Sequence, residues 1–168
     1  SNYNAQQTDA AVKAMGALGS RLVIHQPSYS MLNRWIEKPM EGVGSLCDVL
    51  RKTGTGCICF APLFHGMLTA KYLNGIPADS RAAKDPRYLK PSAITEEKLA
   101  VISKLNAIAQ ARGQKLAQLA LQWVLRDEVV TSALIGASRP QQIIENVEAL
   151  KGPAFTAEEL AAIEEILG

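Results

Sequence analysis

No charge of either sign dominates this sequence. Its 168 residues hold 18 Lys and Arg against 16 Asp and Glu, a net charge of +2. So close a balance offers no electrostatic footprint for nucleic acid or an anionic membrane surface. No apolar run approaches the ~20 residues of a membrane span, so neither nucleic acid nor membrane is expected as a partner. The opening residues, SNYNAQQTDAAV, lack the basic segment and apolar core of a secretory signal. Cysteine is scarce and odd in number. Cys47, Cys57 and Cys59 form no Cys-x-x-Cys, and they read as reduced, buried thiols of a cytoplasmic protein. Cys57 and Cys59 flank Ile58 and face the same side of a strand. The two histidines, His25 and His65, are far apart without ligand spacing, so no metal is expected. Internal repeats, low-complexity tracts and interdomain linkers are missing as well.

The remaining composition, 48% hydrophobic and 20% charged, is that of a globular chain long enough for one core. Helical patterns alternate with short apolar runs. Residues 4–19 read as a helix with Asn4 as N-cap, 22–26 as a strand, and 40–52 as a helix ended by Gly54. Residues 57–61 read as a second strand closed by Pro62. The polar stretch 69–92 reads as a loop beyond the ~12–15 residues at which loops are often functional lids or disordered. Thr95 caps a helix to about Ala111 with the stripe Leu99, Ile102, Leu105 and Ile108. A second stripe is Leu116, Leu119, Ala120, Trp123 and Val124. Residues 131–135 read as a buried strand and 139–150 as its helix. Thr156 and Glu159 open a last helix that buries Leu160, Ile163 and Leu167. Such alternation implies an α/β fold with a parallel sheet covered by helices.

The most informative stretch is ALIGASRPQQIIENV, from Ala133 to Val147. A strand runs into Gly136-Ala137-Ser138, and a helix opens at once, with Ser138 as expected N-cap and Gln141 three residues on. A helix N-terminus offers unpaired N–H groups to an anion, and Arg139 adds a fork of donors suited to phosphate. Gln142, Glu145 and Asn146 follow along one side. By pattern alone, a mononucleotide grip and a plainly capped helix with a solvated face are equally good readings.

The wording itself resembles the last strand-to-helix unit of the aldo-keto reductases, in the variant Gly-Ala-Ser-x-x-x-Gln-x-x-Glu-Asn. That branch holds bacterial glyceraldehyde 3-phosphate reductases and the beta subunits of voltage-gated potassium channels. The resemblance implies that Gly136, Ser138, Gln142, Glu145 and Asn146 hold the adenosine end of NADP(H), with Arg139 on the 2′-phosphate. Ser1-Asn2-Tyr3 is similar to a triplet that bonds the nicotinamide carboxamide, which assigns Ser1 and Asn2 to that group. Gln26, in His-Gln-Pro-Ser-Tyr, matches a glutamine on the same carboxamide, and its amide has the donors and acceptor to do so. Asn33, Arg34 and Trp35 then fall on the rim.

A second strong match is FAPLFHGMLTAKY, from Phe60 to Tyr72. By resemblance Phe60 stacks on the nicotinamide face, Ala61 and Pro62 border it, and Leu63, Phe64 and Gly66 cradle the pyrophosphate through backbone N–H groups. Lys71 matches a lysine near the pyrophosphate, and Arg81 an arginine that closes over the cofactor. His65 stands where the family varies and is read as tuning the rim, not as catalytic. Ser28 and Tyr29 show no partner base.

The family's catalytic tyrosine, with its lysine, aspartate and histidine, has no counterpart among these residues, so no catalytic residue is expected in this chain. A complete (β/α)8 TIM barrel needs ~250 residues. The expectation is therefore that residues 1–168 form a partial aldo-keto reductase domain, the C-terminal portion of an NADP-dependent barrel entered after its fifth strand. The N-terminal half would be needed to complete it. The implied reaction is NADPH-dependent reduction of a small aldehyde or ketone, such as glyceraldehyde 3-phosphate or methylglyoxal. Association into a homo-oligomer stays open. An alternative is an NADP-binding regulatory subunit without turnover, like the channel beta proteins. A third is a folding relic with an exposed sheet edge.

Overall fold

Asn4 sets where the first helix begins. Its side chain accepts from the Gln7 N–H at 2.9 Å, and the Gln7 side chain accepts from the Asn4 N–H at 3.0 Å, a reciprocal cap. Helix α1 then runs Ala5–Ala17. The structure is a computed structural model that describes residues 1–85 and 87–168; the Arg81 side chain also lies outside the described residues. The chain divides into two units, Ser1–Pro62 with Val124–Ile135, and Leu63–Trp123 with Gly136–Gly168.

The first unit carries the sheet. Strands β1 (Ile24–His25), β2 (Gly56–Phe60) and β3 (Ser132–Leu134) are parallel, in the order β1-β2-β3. Ile24 pairs with Gly56, His25 with Cys57, and Phe60 with Leu134. Side chains alternate across a strand, so His25, Cys57 and Cys59 share one face, and all three are buried. Ile24, Ile58, Phe60 and Leu134 share the other. On that face Leu134 is 52% exposed, which corrects the expectation of a buried third strand. The reason is topological: β3 is an edge strand, and its Ser132 and Leu134 point to the less covered face.

Helix α2 (Leu46–Thr53) packs against α1. Its expected start at residue 40 is also corrected. Met40 and Gly44 form a backbone bridge, and Gly44 has φ +78°, with Asp48 Oδ2 only 2.9 Å from where a Cβ would sit. The chain turns there, and Ser45 caps the helix against Asp48. The signal was present as Ser45-x-x-Asp48 after a glycine.

The second unit is helical. Thr95 caps α4 (Glu96–Ala111), and Thr156 caps α7 (Ala157–Leu167), which packs on α4. Ile102, Leu105 and Ile163 are buried, as the stripes require; Leu160 and Leu167 are only half-buried. Helix α5 (Leu116–Val124) buries Leu116, Leu119, Ala120 and Trp123. The Arg112 guanidinium, nearly sealed from solvent, donates to Glu159, to Gln122 Oε1 at 3.1 Å and to the Pro153 carbonyl. Residues 69–92 are not one loose loop. Short turns at Ala70–Tyr72 and Pro91–Ala93 and the single-turn helix α3 (Arg81–Lys84) interrupt them. Tyr72, Ala82 and Leu89 are buried there, so apolar contacts order a segment whose polar composition suggested otherwise.

Candidate functional site

In parallel sheets, ligands are met at the C-terminal ends of strands. In the first unit that region gathers Ser1, Asn2, Gln26 and Phe60. The Gln26 carbonyl accepts from Ser1 Oγ and from the Asn2 N–H, both at 3.1 Å. Asn2 Oδ1 accepts from the Ser28 N–H at 2.9 Å. Ser1 and Asn2 are therefore pinned beside β1, and Asn2 still has its Nδ2 donor to offer. One strand over, the Phe60 N–H donates to the Pro27 carbonyl at 2.9 Å, and the Phe60 carbonyl accepts from the Tyr29 N–H at 3.1 Å. Gln26 has the same strand parity as Ile24, so its side chain and the Phe60 ring project to the same, less covered face. Gln26 is exposed and Phe60 half-buried; Pro62 is buried.

The backbone turns sharply after β2. Ala61 has φ +54°, Phe64 +45° and His65 +57°. Left-handed backbone is uncommon for any residue with a Cβ and an outlier for a bulky one; each such position costs about 1–3 kcal/mol. Among the described residues, the only other non-glycine with positive φ is Asn2.

The second unit holds the rest of the expected site. Leu63, Phe64, His65 and Gly66 form a tight turn in which the Gly66 N–H donates to the Leu63 carbonyl at 2.9 Å. This corrects one expectation. The Gly66 N–H is committed within the turn, and Gly66 contributes instead its φ of +96°. The His65 ring stacks on Tyr88 at 6.3 Å and tilts to Phe64 at 5.9 Å. Lys71 pairs with Asp79 at 3.4 Å. Arg81 heads α3, and its side chain lies outside the described residues.

Helix α6 spans Pro140–Val147 with Arg139, not Ser138, at the N-cap. The correction has a local cause. Gln142, rather than Gln141, reaches back, and its Oε1 accepts from the Ser138 N–H at 2.8 Å, Ser138 Oγ at 3.2 Å and the Arg139 N–H at 3.2 Å. Pro140 at the first helical position fixes that turn. Ser138 and Arg139 are exposed, and a Cβ at Gly136 would meet open space. Glu145 lies 2.6 Å from Lys115 Nζ, and the Lys115 hydrogen bond holds its carboxyl below the usual range. Asn146 is half-buried beside it in sequence.

One group escaped sequence reasoning. The buried Tyr29 phenol donates to Glu37 Oε1; Arg126 donates to the Tyr29 oxygen and to Glu37 Oε1, both at 2.9 Å; Arg34 donates to Glu37 Oε2 at 2.7 Å. Burial pushes the Tyr29 phenol far above its ordinary range. Burial also opposes ionisation of Glu37, but the hydrogen bonds from Tyr29, Arg126 and Arg34 outweigh it and hold the carboxyl below its usual value. Tyr29, Glu37 and Arg126 help line a cavity of about 230 Å³ that also meets Cys47, Asp48 and Arg51. The residues expected on a ligand rim are tied into the same turn. Asn33 Nδ2 donates to Ser28 Oγ at 3.1 Å, and Trp35 Nε1 donates to the Ser28 carbonyl at 2.7 Å.

Among the described residues, no three His, Cys, Asp or Glu side chains gather as a metal site, and no helix is long and apolar enough to cross a membrane. The three cysteines are free and buried.

The model of the aldo/keto reductase family matches residues 1–168, and the chain belongs to that family. Within it, the sequence is 48% identical over 168 residues to the L-glyceraldehyde 3-phosphate reductase of Escherichia coli O157:H7, covering 98% of this chain and 47% of that protein. The K12 strain's L-glyceraldehyde 3-phosphate reductase is 47% identical over the same span, with the same coverage. The chain thus spans about half the length of the curated relatives it matches. Among solved structures, it is similar to a glycerol dehydrogenase of Gluconobacter oxydans, with TM-score 0.66 and 29% identity over 86% of this chain and 42% of that one.

Proposed function

We propose that residues 1–168 are the cofactor-binding, C-terminal portion of a (β/α)8 aldo-keto reductase that uses NADPH to reduce a small aldehyde. The glyceraldehyde 3-phosphate class is the first candidate, taken from the names of the two relatives. In this reading Asn2 and Gln26 bond the nicotinamide carboxamide and Phe60 stacks on the ring. Leu63 and Phe64 border the pyrophosphate. Ser138, Arg139, Gln142 and Asn146 take the adenosine end, with Arg139 on the 2′-phosphate. Lys71, Glu145 and Arg81 have supporting roles. Bound NADPH supplies the hydride.

The observation that carries the reading is where the strained backbone falls. Among the described residues, the non-glycine residues with left-handed φ are Asn2, Ala61, Phe64 and His65. Three of them are residues assigned to the cofactor on independent sequence grounds, and His65 sits between Phe64 and Gly66 in the same assigned segment. Strain of this kind is retained where a ligand needs a backbone group in an unfavourable place. The residues at Asn2, Gln26 and Phe60 also share one strand-end region with an exposed amide and an aromatic face. No acid is assigned within these residues. The Tyr29 phenol is buried and its proton is committed to Glu37, so a proton donor would have to come from elsewhere in the enzyme. Reduced thiols agree with a cytoplasmic setting.

The test is made on the protein expressed from its complete reading frame. NADPH oxidation is followed with glyceraldehyde 3-phosphate, methylglyoxal and a ketone control, and NADP and NAD affinities are measured by calorimetry. Oxidation of NADPH by an aldehyde, with NADP bound more tightly than NAD, is the expected result. NADP binding without turnover of any aldehyde would favour the regulatory alternative, and no binding at all would overturn both.

A further inference from the structure

Tyr29 is held from both ends. Its N–H bonds the Phe60 carbonyl at 3.1 Å, and its phenol sits between Glu37 and Arg126. The backbone on either side is equally committed. The Pro27 carbonyl takes the Phe60 N–H, and the Ser28 N–H holds Asn2 Oδ1 at 2.9 Å. Tyr29 is thus the point where the backbone around Asn2, Gln26 and Phe60 is tied to a half-buried charge cluster. Arg126 belongs to the segment entering β3, 97 residues away in sequence. Its planar fork spans the Tyr29 oxygen and Glu37 Oε1 at once, both at 2.9 Å, a geometry an ammonium group does not reproduce.

We infer that Arg126 is a positioning residue for the nicotinamide subsite, acting through Tyr29 and Glu37 to set Phe60 relative to Asn2 and Gln26. The inference rests on the proposed cofactor reading. It adds that the ring's placement is governed by a cluster that touches neither cofactor nor substrate. An ion cluster that only stabilised the fold would change melting and nothing else. A positioning cluster must change how the nicotinamide end binds while leaving the adenosine end alone.

The discriminating variant is Tyr29→Phe, which removes one hydroxyl from a packed ring, with Arg126→Lys as the second. Both are made in the complete protein and studied well below their melting temperatures. Affinities for NADPH and for adenosine 2′,5′-bisphosphate, which lacks the nicotinamide, are measured by calorimetry, together with the fluorescence of bound NADPH. Turnover with the preferred aldehyde is the last readout. The expected result is an unchanged affinity for the bisphosphate, a weakened and spectrally altered NADPH complex, and turnover lowered about ten- to hundredfold, the scale of a misplacement near 1 Å. Arg126→Lys should not restore it. If melting falls while the NADPH-to-bisphosphate affinity ratio, the fluorescence and turnover stay as in wild type, the cluster is structural and the inference is overturned. If the wild-type protein binds no NADPH, the cofactor reading fails and this role fails with it.

Discussion

Gln142 Oε1 accepts the Ser138 N–H at 2.8 Å, so a residue assigned to the ligand also closes the turn in front of its own helix. Losing that acceptor leaves several donors without a partner at once. Gln142→Ala should lower stability by about 0.5–2 kcal/mol, the range for a lost helix cap. Gln142→Glu keeps an acceptor at the same place and should melt near wild type, yet bind NADP more weakly because it adds negative charge beside phosphate. Thermal unfolding and calorimetry together check both halves.

Arg139 stands exposed at the N-cap of α6, and the proposed reading sets it on the 2′-phosphate. A charge-assisted hydrogen bond there contributes ~1.5–3 kcal/mol. Arg139→Ala should weaken NADP binding by about ten- to hundredfold and leave NAD nearly unchanged. Equal loss of both cofactors would mean that Arg139 does not read the phosphate.

Phe60 is only half-buried, on the less covered face of the sheet. Phe60→Ala should therefore cost less than the ~3–5 kcal/mol of a fully packed phenylalanine while sharply weakening NADPH binding. Phe60→Tyr should be almost silent. A variant that melts early but binds NADPH normally would mark the ring as core alone.

The Glu37 carboxyl titrates below its ordinary value of 4.5 in the folded chain. A depressed carboxyl contributes stability above its unfolded value, and that contribution is lost as pH falls through the folded value. Urea midpoints should therefore fall below about pH 4.5 more steeply in wild type than in Glu37→Gln, which has no proton to take up. Parallel curves would show that the carboxyl is not coupled to folding. At neutral pH the same variant should be less stable, since Arg126 loses its charge partner inside a half-buried cluster.

Residues 1–168 expressed by themselves should self-associate. In the first unit Ile24 and Leu134 are exposed on the sheet and Val23 just before β1; in the second, Ile143, Ile144, Val147 and Leu150 are exposed along α6 and the turn after it. Apolar surface of that kind marks a contact face or an aggregation site. Sedimentation over a concentration series checks this, and a monomer at every concentration would count against it.

Helix positions were legible from neighbouring residues alone, because a cap and an apolar stripe are settled within one or two turns. Asn4, Thr95 and Thr156 each start a helix where their sequence context says they should. The family was equally legible as wording, down to the Gly136-Ala137-Ser138 turn. The same local rules slipped where two candidates competed a residue apart, as Gln141 and Gln142 do, because which side chain reaches back depends on the exact path of the first turn. Other features lay outside any local pattern. The exposure of β3 follows from its place at the sheet edge, a property of strand order and not of its apolar residues. The link from Arg126 to Tyr29 joins residues 97 apart, and nothing near either one announces the other. Capping and amphipathic periodicity are short-range energies that a sequence carries on its face. Strand order, the uncovered face and the half-buried charge cluster arise only when distant segments meet, and tertiary packing alone decided them.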